Sequence, residues 1–493
     1  MTQTEAAAPA LPGGARAWVL AGTILASAMA FIDGTVVHVA LPALQRDLDA
    51  GFTALQWVVN GYALTLGGLI LVGGALGDRV GRRRVFVWGI AVFALASLAC
   101  ALAPSAGALV AARLVQGIGA ALLVPQSLAI IAAAFPKEVR GRAIGVWAGF
   151  SAITTSLGPP LGGFLVDALS WRAVFWINLP LSAVAIWIAL AHMPADRGAG
   201  AAHGPLDWPG ASLAVAGFGL VTLALTLASE ADVAALVLAG LLAAGIAALV
   251  AFVAVEARAP SPLMPLSLFS SRCFSGANLL TLFLYAAFIT TLFLLPFELQ
   301  SRRGLSATEV GLTMLPIGLI IGTGSRFSGA LADRTGPNAL LALGSGLVAV
   351  GAAWLALAVP SYWIGIVGPV MTMACGMALA VAPLTTSVMN AVDESRAGAA
   401  SGVNNAASRL AGLFGVAIAG SVASALFLAE AGAAAGPQAR FGVLPSPGDP
   451  ARAALEGAFL SGYTAALWLA SAWAAIAALV AWRLPSPTRG VLP

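Results

Sequence analysis

The chain has 493 residues, 60% of them hydrophobic and only 9% charged, against roughly a quarter charged in an ordinary soluble domain. That balance excludes a water-soluble globule. Apolar richness with a formal net charge of only +4 equally excludes a disordered chain, so a lipid bilayer is the expected home.

Basic residues are nearly all Arg. Lys137, in FPKEV, is the only Lys, so no GxxxxGK[ST] phosphate loop exists and ATP hydrolysis by that device is excluded. Cys100, Cys273 and Cys375 form no CxxC, and His38, His192 and His203 form no HExxH. No metal or cofactor is expected, and the cysteines read as apolar filler.

A helix needs about 20 mostly apolar residues to cross the hydrocarbon core. Apolar runs between charged or Pro/Gly-rich breaks predict fourteen such helices, at 17–41, 54–76, 85–103, 107–134, 143–168, 173–193, 209–230, 234–255, 273–299, 310–332, 338–358, 362–389, 398–428 and 457–482. Lipid tolerates no open sheet edge, so the expected class is an all-α integral membrane protein. With a cytoplasmic N-terminus, fifteen Arg/Lys fall in cytoplasmic segments and six outside, which predicts both termini cytoplasmic. Arg16 followed by an apolar run and Ala28-Met29-Ala30 imitates a secretory signal, but the run continues to Leu41 and favours an uncleaved first helix.

GALGDRVGRRR at 74–84 returns as GALADRTGPNA at 329–339, displaced by 255 residues, each copy following the second helix of a six-helix group. The chain is therefore expected to hold two parallel repeats around a central midplane site. Residues 1–193 make the N-terminal six-helix bundle, 194–256 a linker with inserted helices 7 and 8, and 257–493 the C-terminal six-helix bundle. HMPADRGAGAAHGPLDWPG reads as a flexible linker before helix 7, and 429–456 as the one sizeable outer loop.

Asp33 lies deep in helix 1, in AMAFIDGTVVHVALP, where a carboxylate costs on the order of 3 kcal/mol on insertion scales. It is either satisfied by a neighbouring helix or a proton or cation site facing a water-filled cavity. His38 can titrate near neutrality, but five residues on it points away from Asp33's face. Arg113, in ALVAARLVQGIGAA of helix 4, should face the bundle interior and pair with carbonyls, Gln116 or a carboxylate. Glu298, in FLLPFELQ near the outer end of helix 9, is the second acid, suited to proton coupling or to a gate.

Helix 5 carries Gly141, Gly145 and Gly149, then Gly158, Pro159, Pro160, Gly162 and Gly163. Such a face suits close packing and, with Pro-weakened hydrogen bonding, a pivot between two halves. In GDRVGRRR, Asp78 ends helix 2, Gly81 allows a tight turn and Arg82 to Arg84 follow; with the returning Asp333, Arg334 and Gly336 this reads as a state-dependent latch.

Taken together, these segments resemble the major facilitator superfamily, and within it the fourteen-helix drug/proton antiporter family. GALGDRVGRRR is similar to the loop between helices 2 and 3, LVAARLVQGIGAA to the helix 4 motif and TSLGPPLGGFL to the helix 5 antiporter motif. FIDGTVVHVALP, WRAVFWINLP and ASGVNNAASRLAGLFGVAIAG resemble marks of the fourteen-helix branch, so the match spans essentially the whole chain. The resemblance implies export of lipophilic drugs by alternating access, driven by protons. It assigns Asp33 and Arg113 to proton coupling, to which the reading of the residues adds Glu298. Asp78, Arg79, Gly81, Arg82 and Arg83, with Asp333 and Arg334, become the cytoplasmic gate; Gly158, Pro159, Gly162 and Gly163 become the helix 5 pivot. The substrate cavity is expected to hold Asp33, Trp57, Asn60, Tyr62 and Gln116.

The chain departs from the family pattern at His38, where Asn is usual, at Thr154, where helix 5 often has Gly, and at Asn60, where some cation exporters carry an acid. Helix 13 has Arg409 and no carboxylate, so few negative charges remain for a dicationic substrate. The expected function is a plasma-membrane (bacterial inner-membrane) antiporter of lipophilic drugs or antibiotics, not an enzyme. Its partners are a small lipophilic molecule, protons and the bilayer, without nucleic acid and with an adaptor protein not readable. A single-compound antibiotic or metabolite exporter and a proton-coupled uptake symporter of the same fold are the alternatives.

Overall fold

A computed structural model describes residues 13–194, 207–230, 233–260, 262–393, 396–432 and 439–484; the side chains of Lys137 and Asp333 and most of the expected linker lie outside that set. Among the described residues there is no strand. Helices α1 to α6 span Gly13–Asp47, Phe52–Val80, Arg82–Ala101, Ala106–Ala134, Lys137–Ala168 and Ala173–His192. Then come α7 (Trp208–Leu227), α8 (Ala235–Glu256), α9 (Arg272–Arg302), α10 (Ala307–Thr335), α11 (Pro337–Ala356), α12 (Trp363–Asn390), α13 (Ala397–Ala431) and α14 (Arg452–Arg483).

Thirteen of these are long and apolar enough to cross a membrane. The fourteenth is α5, whose middle, GFSAITTSLGPPLGG, is diluted with Gly, Ser, Thr and Pro; it runs for 32 residues, packed between α1 and α10. An even number of crossings puts the start of α1 and the end of α14 on one face, called here the terminal face, with the far face opposite.

The repeat read from one loop extends through two whole helices. The bounds of α2 and α3 recur in α10 and α11 with the same 255-residue shift: Phe52 and Ala307, Val80 and Thr335, Arg82 and Pro337, Ala101 and Ala356. Gly81 (φ 111°) and Gly336 (φ 85°) make the two joints in a backbone region that side chains rarely adopt. Each joint lets two long helices turn back without a loop.

Two seams join the bundles α1–α6 and α9–α14: α5 on α10, and α2 on α13. The inserted pair α7 and α8 pack on each other, and α7 covers the α2/α13 seam. α2 and α13 stay in contact into the terminal half, at Leu71 and Gly402, whereas along the α5/α10 seam the bundles meet toward the far face. One apolar core runs there from Val36, Leu44, Phe52 and Leu55 of the first bundle into Phe293, Phe297, Phe427 and Phe459 of the second. Nearer the terminal face the first bundle keeps a separate core of its own around Met29, Phe86, Ile90 and Phe93.

Polar contacts repeat that asymmetry. Asp167, at the end of α5, accepts from the backbone N–H groups of Ala307 (3.2 Å) and Thr308 (2.7 Å) and from the Thr308 hydroxyl (2.6 Å) at the start of α10. Gln300 donates to the Val39 carbonyl at 2.8 Å, and Gln45 to the Phe441 carbonyl at 3.0 Å. Phe441, from the segment before α14, is 1% exposed and stacks among Phe52, Phe297, Phe427 and Phe459. On α5 a Cβ at Gly163 would sit 2.2 Å from the Ala307 carbonyl, whereas one at Gly141, Gly145 or Gly149 meets nothing within 4 Å. The small-residue face of α5 is thus packed in its far half and open in its terminal half.

Candidate functional site

Five helices of the first bundle bring a buried polar cluster together. Asp33 on α1 is 0% exposed and Arg113 on α4 is 1% exposed, and the Arg113 Nη1 donates to Asp33 Oδ2. The same Nη1 reaches Gln116 Oε1 at 2.6 Å, and Nε reaches the Val58 carbonyl on α2 at 2.9 Å. Gln116 donates to Asp33 Oδ1 at 2.8 Å and to Ser97 on α3 at 2.9 Å. Asn178 on α6 donates to the same two acceptors at 3.2 Å each. The guanidinium lies 4.4 Å from the centre of the Tyr62 ring, whose hydroxyl donates to the Ala30 carbonyl at 3.1 Å. A buried carboxylate with three donors and a buried Arg with three acceptors can sit in lipid, because charge and hydrogen bonds are matched internally.

Beside this cluster lies a cavity of about 230 Å³ between the two bundles. The first bundle gives it a polar wall: Thr35, His38, Asn60, Tyr62, Arg113, Thr155 and Ser156. The second gives an apolar wall of Phe288, Ile289, Leu292, Met314, Ile317 and Ile321 with one charge, Arg409 on α13. Among the described residues no Asp or Glu lines it. Asn60 is 0% exposed and neither polar atom of its side chain has a partner; His38 Nδ1 is likewise buried and unpartnered.

Of the residues expected in the cavity, Asn60 and Tyr62 line it. Asp33 and Gln116 stand behind its wall, screened by Arg113, and Trp57 turns to α7, where it donates to the Thr226 hydroxyl at 3.0 Å. Glu298 is elsewhere: α9 widens into a π turn at its far end, and there the carboxylate, 1% exposed, is held by Arg302 at 2.5 Å and Arg303 at 2.9 Å. The pivot residues Gly158 and Gly162 lie against Thr35 and Val36 of α1, and Pro159 and Gly163 against α10.

At the terminal face Asp78 pairs with Arg82 at 2.9 Å, and Arg82 also reaches the Ala129 carbonyl on α4 at 3.2 Å. Arg83 caps the end of α6 through the Leu190 and Met193 carbonyls, both at 2.9 Å. Arg79 is half-buried beside them, with an unpartnered Nε. Arg334 is exposed; the Asp333 side chain lies outside the described set.

Three partners escaped the sequence reading. Ser97 and Asn178 complete the Asp33 cluster, and Asn178 sits in WRAVFWINLP, whose Trp171 and Arg172 clamp Asp47 at 2.7 and 2.5 Å. That segment clips the start of α6 to the middle and the far end of α1. Asp167 was legible only through its target: SATE at 306–309 is a capping box that marks a helix start in need of acceptors.

The sequence profile of the Major Facilitator Superfamily matches residues 23–416. The cephamycin export protein CmcT of Amycolatopsis lactamdurans is 37% identical over 78% of this chain and 80% of its own length. The methylenomycin A resistance protein of Streptomyces coelicolor is 35% identical over 84% and 88%, and the drug efflux pump JefA of Mycobacterium tuberculosis 34% over 80% and 78%. In fold the chain is similar to an inward-facing, unoccupied bacterial homologue of the human lysosomal transporter Spinster (TM-score 0.67, 19% identity, covering 95% of this chain and 98% of that one). A D-xylose–proton symporter superposes with a TM-score of 0.61 at 17% identity, over 96% and 97% of the two chains. With a matching profile, fourteen packed helices and relatives along most of its length, the chain belongs to the Major Facilitator Superfamily: it is a multi-pass membrane transporter, not an enzyme.

Proposed function

We propose that the chain is a proton-coupled exporter of small lipophilic compounds, antibiotics among them, working by alternating access in a bacterial inner membrane with the terminal face in the cytoplasm. The observation that carries this reading is the buried Asp33–Arg113 pair, in which Arg113 lines the central cavity and Asp33 stands directly behind it. A proton on Asp33 removes its charge and with it the attraction to Arg113, which is free to turn toward the cavity; a substrate there presses Arg113 back and expels the proton. Substrate and proton so compete through one guanidinium. The far-face seal beside an open terminal half of α5 is what the loading state of an exporter requires, and Arg79, Arg82, Arg83 and Arg84 on the terminal face suit the cytoplasm.

Relatives named for export, resistance and efflux support the outward direction. Those named for one antibiotic favour a narrow substrate range over a broad one. The test is uptake of a candidate antibiotic into inverted membrane vesicles with an imposed pH gradient. Accumulation that collapses with the gradient and is lost in Asp33→Asn is expected. Accumulation by Asp33→Asn equal to that of the unmodified chain defeats the coupling role, and transport in the opposite sense makes the chain an uptake symporter.

A further inference from the structure

The cavity wall contains one charge that no described residue balances. Arg409 lies well inside α13 and makes no hydrogen bond or ion pair with any described residue. Room for it is built in: a Cβ at Gly67 of α2 would stand 2.9 Å from the Arg409 Cβ, so the bare glycine lets the stem pass between the helices. The helices packed on α13, namely α2, α7, α9, α12 and α14, carry acids only near their ends, at Asp78, Glu298 and Glu456. Asp33 is no substitute, since both its oxygens are taken and it does not reach the cavity surface. An Arg remains charged in any environment, so at this depth it calls for an anion.

A second observation on the same wall points to a ligand. The Asn60 amide, fully buried, leaves its Nδ2 and Oδ1 without partners in the cavity that Arg409 enters. Opposite lie Phe288, Ile289 and Met314. A positive, hydrogen-bonding end and an apolar body describe the complement of an amphipathic acid. We propose that Arg409, assisted by Asn60, recognises a carboxylate on the transported compound, so that the cavity selects lipophilic monoanions over cations. The inference rests on the export reading of this cavity, whose substrate class it names.

Binding without any gradient tests it separately from export. Pyrenebutyrate, its neutral amide and a pyrenebutyl-trimethylammonium salt are titrated into the purified full chain in non-ionic detergent, followed by energy transfer from tryptophan. The acid should bind at least about tenfold tighter than the amide, as a charge-assisted hydrogen bond requires, and the cation weakest. Arg409→Gln should abolish the difference by weakening the acid alone, and Arg409→Lys should restore most of it. Equal binding of acid and amide by the unmodified chain overturns the proposal without recourse to any variant. So does a difference that survives in Arg409→Gln, or a loss there that affects acid and amide alike. A chain that binds as expected but fails to accumulate substrate in vesicles defeats the export reading and leaves this one standing.

Discussion

Asp167 on α5 accepts the backbone N–H of Thr308 on α10 at 2.7 Å, and this bond ties the two bundles together at the far face. The same carboxylate takes the N–H of Ala307 and the Thr308 hydroxyl, so one side chain serves as an external cap for a helix of the other bundle. A carboxylate at a helix N-terminus gains from both the hydrogen bonds and the helix dipole. In the proposed alternating-access cycle the contact must break whenever the far face opens, and it then sets part of the energy difference between the two states.

Asp167→Ala should therefore shift the population toward a far-open form. Losing hydrogen bonds from a charged acceptor is worth about 1.5–3 kcal/mol, enough for a tenfold or larger change in the equilibrium. Spin labels at Leu169→Cys and Leu357→Cys, both exposed positions at the far face, in a chain with its three native cysteines replaced, report the separation. A longer distance component in the Asp167→Ala background is expected; an unchanged distribution means the seal rests on the aromatic core around Phe441 instead.

The buried Asp33–Arg113 pair predicts a stability pattern distinct from its role in coupling. Arg113→Gln leaves Asp33 without its ion partner and should cost about 3–5 kcal/mol. Asp33→Asn should cost a similar amount by leaving Arg113 unpaired, so the single change tests coupling in a weakened protein. The double change Asp33→Asn with Arg113→Gln should cost clearly less than the sum, because no buried charge is then left alone. Thermal unfolding of the purified variants checks this, and strict additivity would show that the two groups do not act as a pair.

How far this was legible from residues alone follows from how local each signal is. The helices, the 255-residue repeat and the partnership of Arg113 with Gln116 or a carboxylate rest on composition and on spacings within a turn or two, which sequence displays directly. Which wall a residue lines depends on the rotation of each helix against its neighbours. Trp57 is three residues from Asn60, yet α7 captures it through Thr226, a partner 169 residues away. Asp33, an acid deep in helix 1, is expected either to face a cavity or to be satisfied by a neighbouring helix; α4 supplies Arg113 between it and the cavity. Glu298 reads as an acid near the outer end of its helix, suited to proton coupling or a gate, but the π turn brings Arg303 round to it beside Arg302, and no periodicity rule anticipates a π turn.

Asp78 yields a prediction through the contrast between stability and rate. Its pair with Arg82 is partly solvent-exposed, at 42% and 34% for the two side chains, so Asp78→Asn should change stability by less than about 0.5 kcal/mol. Arg82 nevertheless links Asp78 to the Ala129 carbonyl, holding the α2/α3 joint against α4. Transport by Asp78→Asn should be slower with substrate binding intact, as measured by comparing initial rates in vesicles with titration of the purified protein. Loss of binding at an unchanged melting temperature would move the substrate site to this joint.

The last prediction joins the proton site to the charge of the cargo. Among the described residues Asp33 is the one carboxylate beside the cavity, so one proton per cycle is the expected exchange. A monocation leaving as a proton enters moves no net charge, a neutral compound moves one, and a monoanion moves the equivalent of two. Each charge gains about 2.3 kcal/mol per 100 mV. A carboxylate substrate thus draws about 4.6 kcal/mol from that voltage, an accumulation of roughly 2,000-fold, whereas a neutral analogue draws half of it, roughly 50-fold. Inverted vesicles carrying a lumen-positive potential, set with potassium and valinomycin at equal pH on both sides, separate these cases. Accumulation of an acid should rise with voltage about twice as steeply on a logarithmic scale as that of its amide. Equal slopes would mean that the acid crosses in its neutral form, with Arg409 taking no part in carrying its charge.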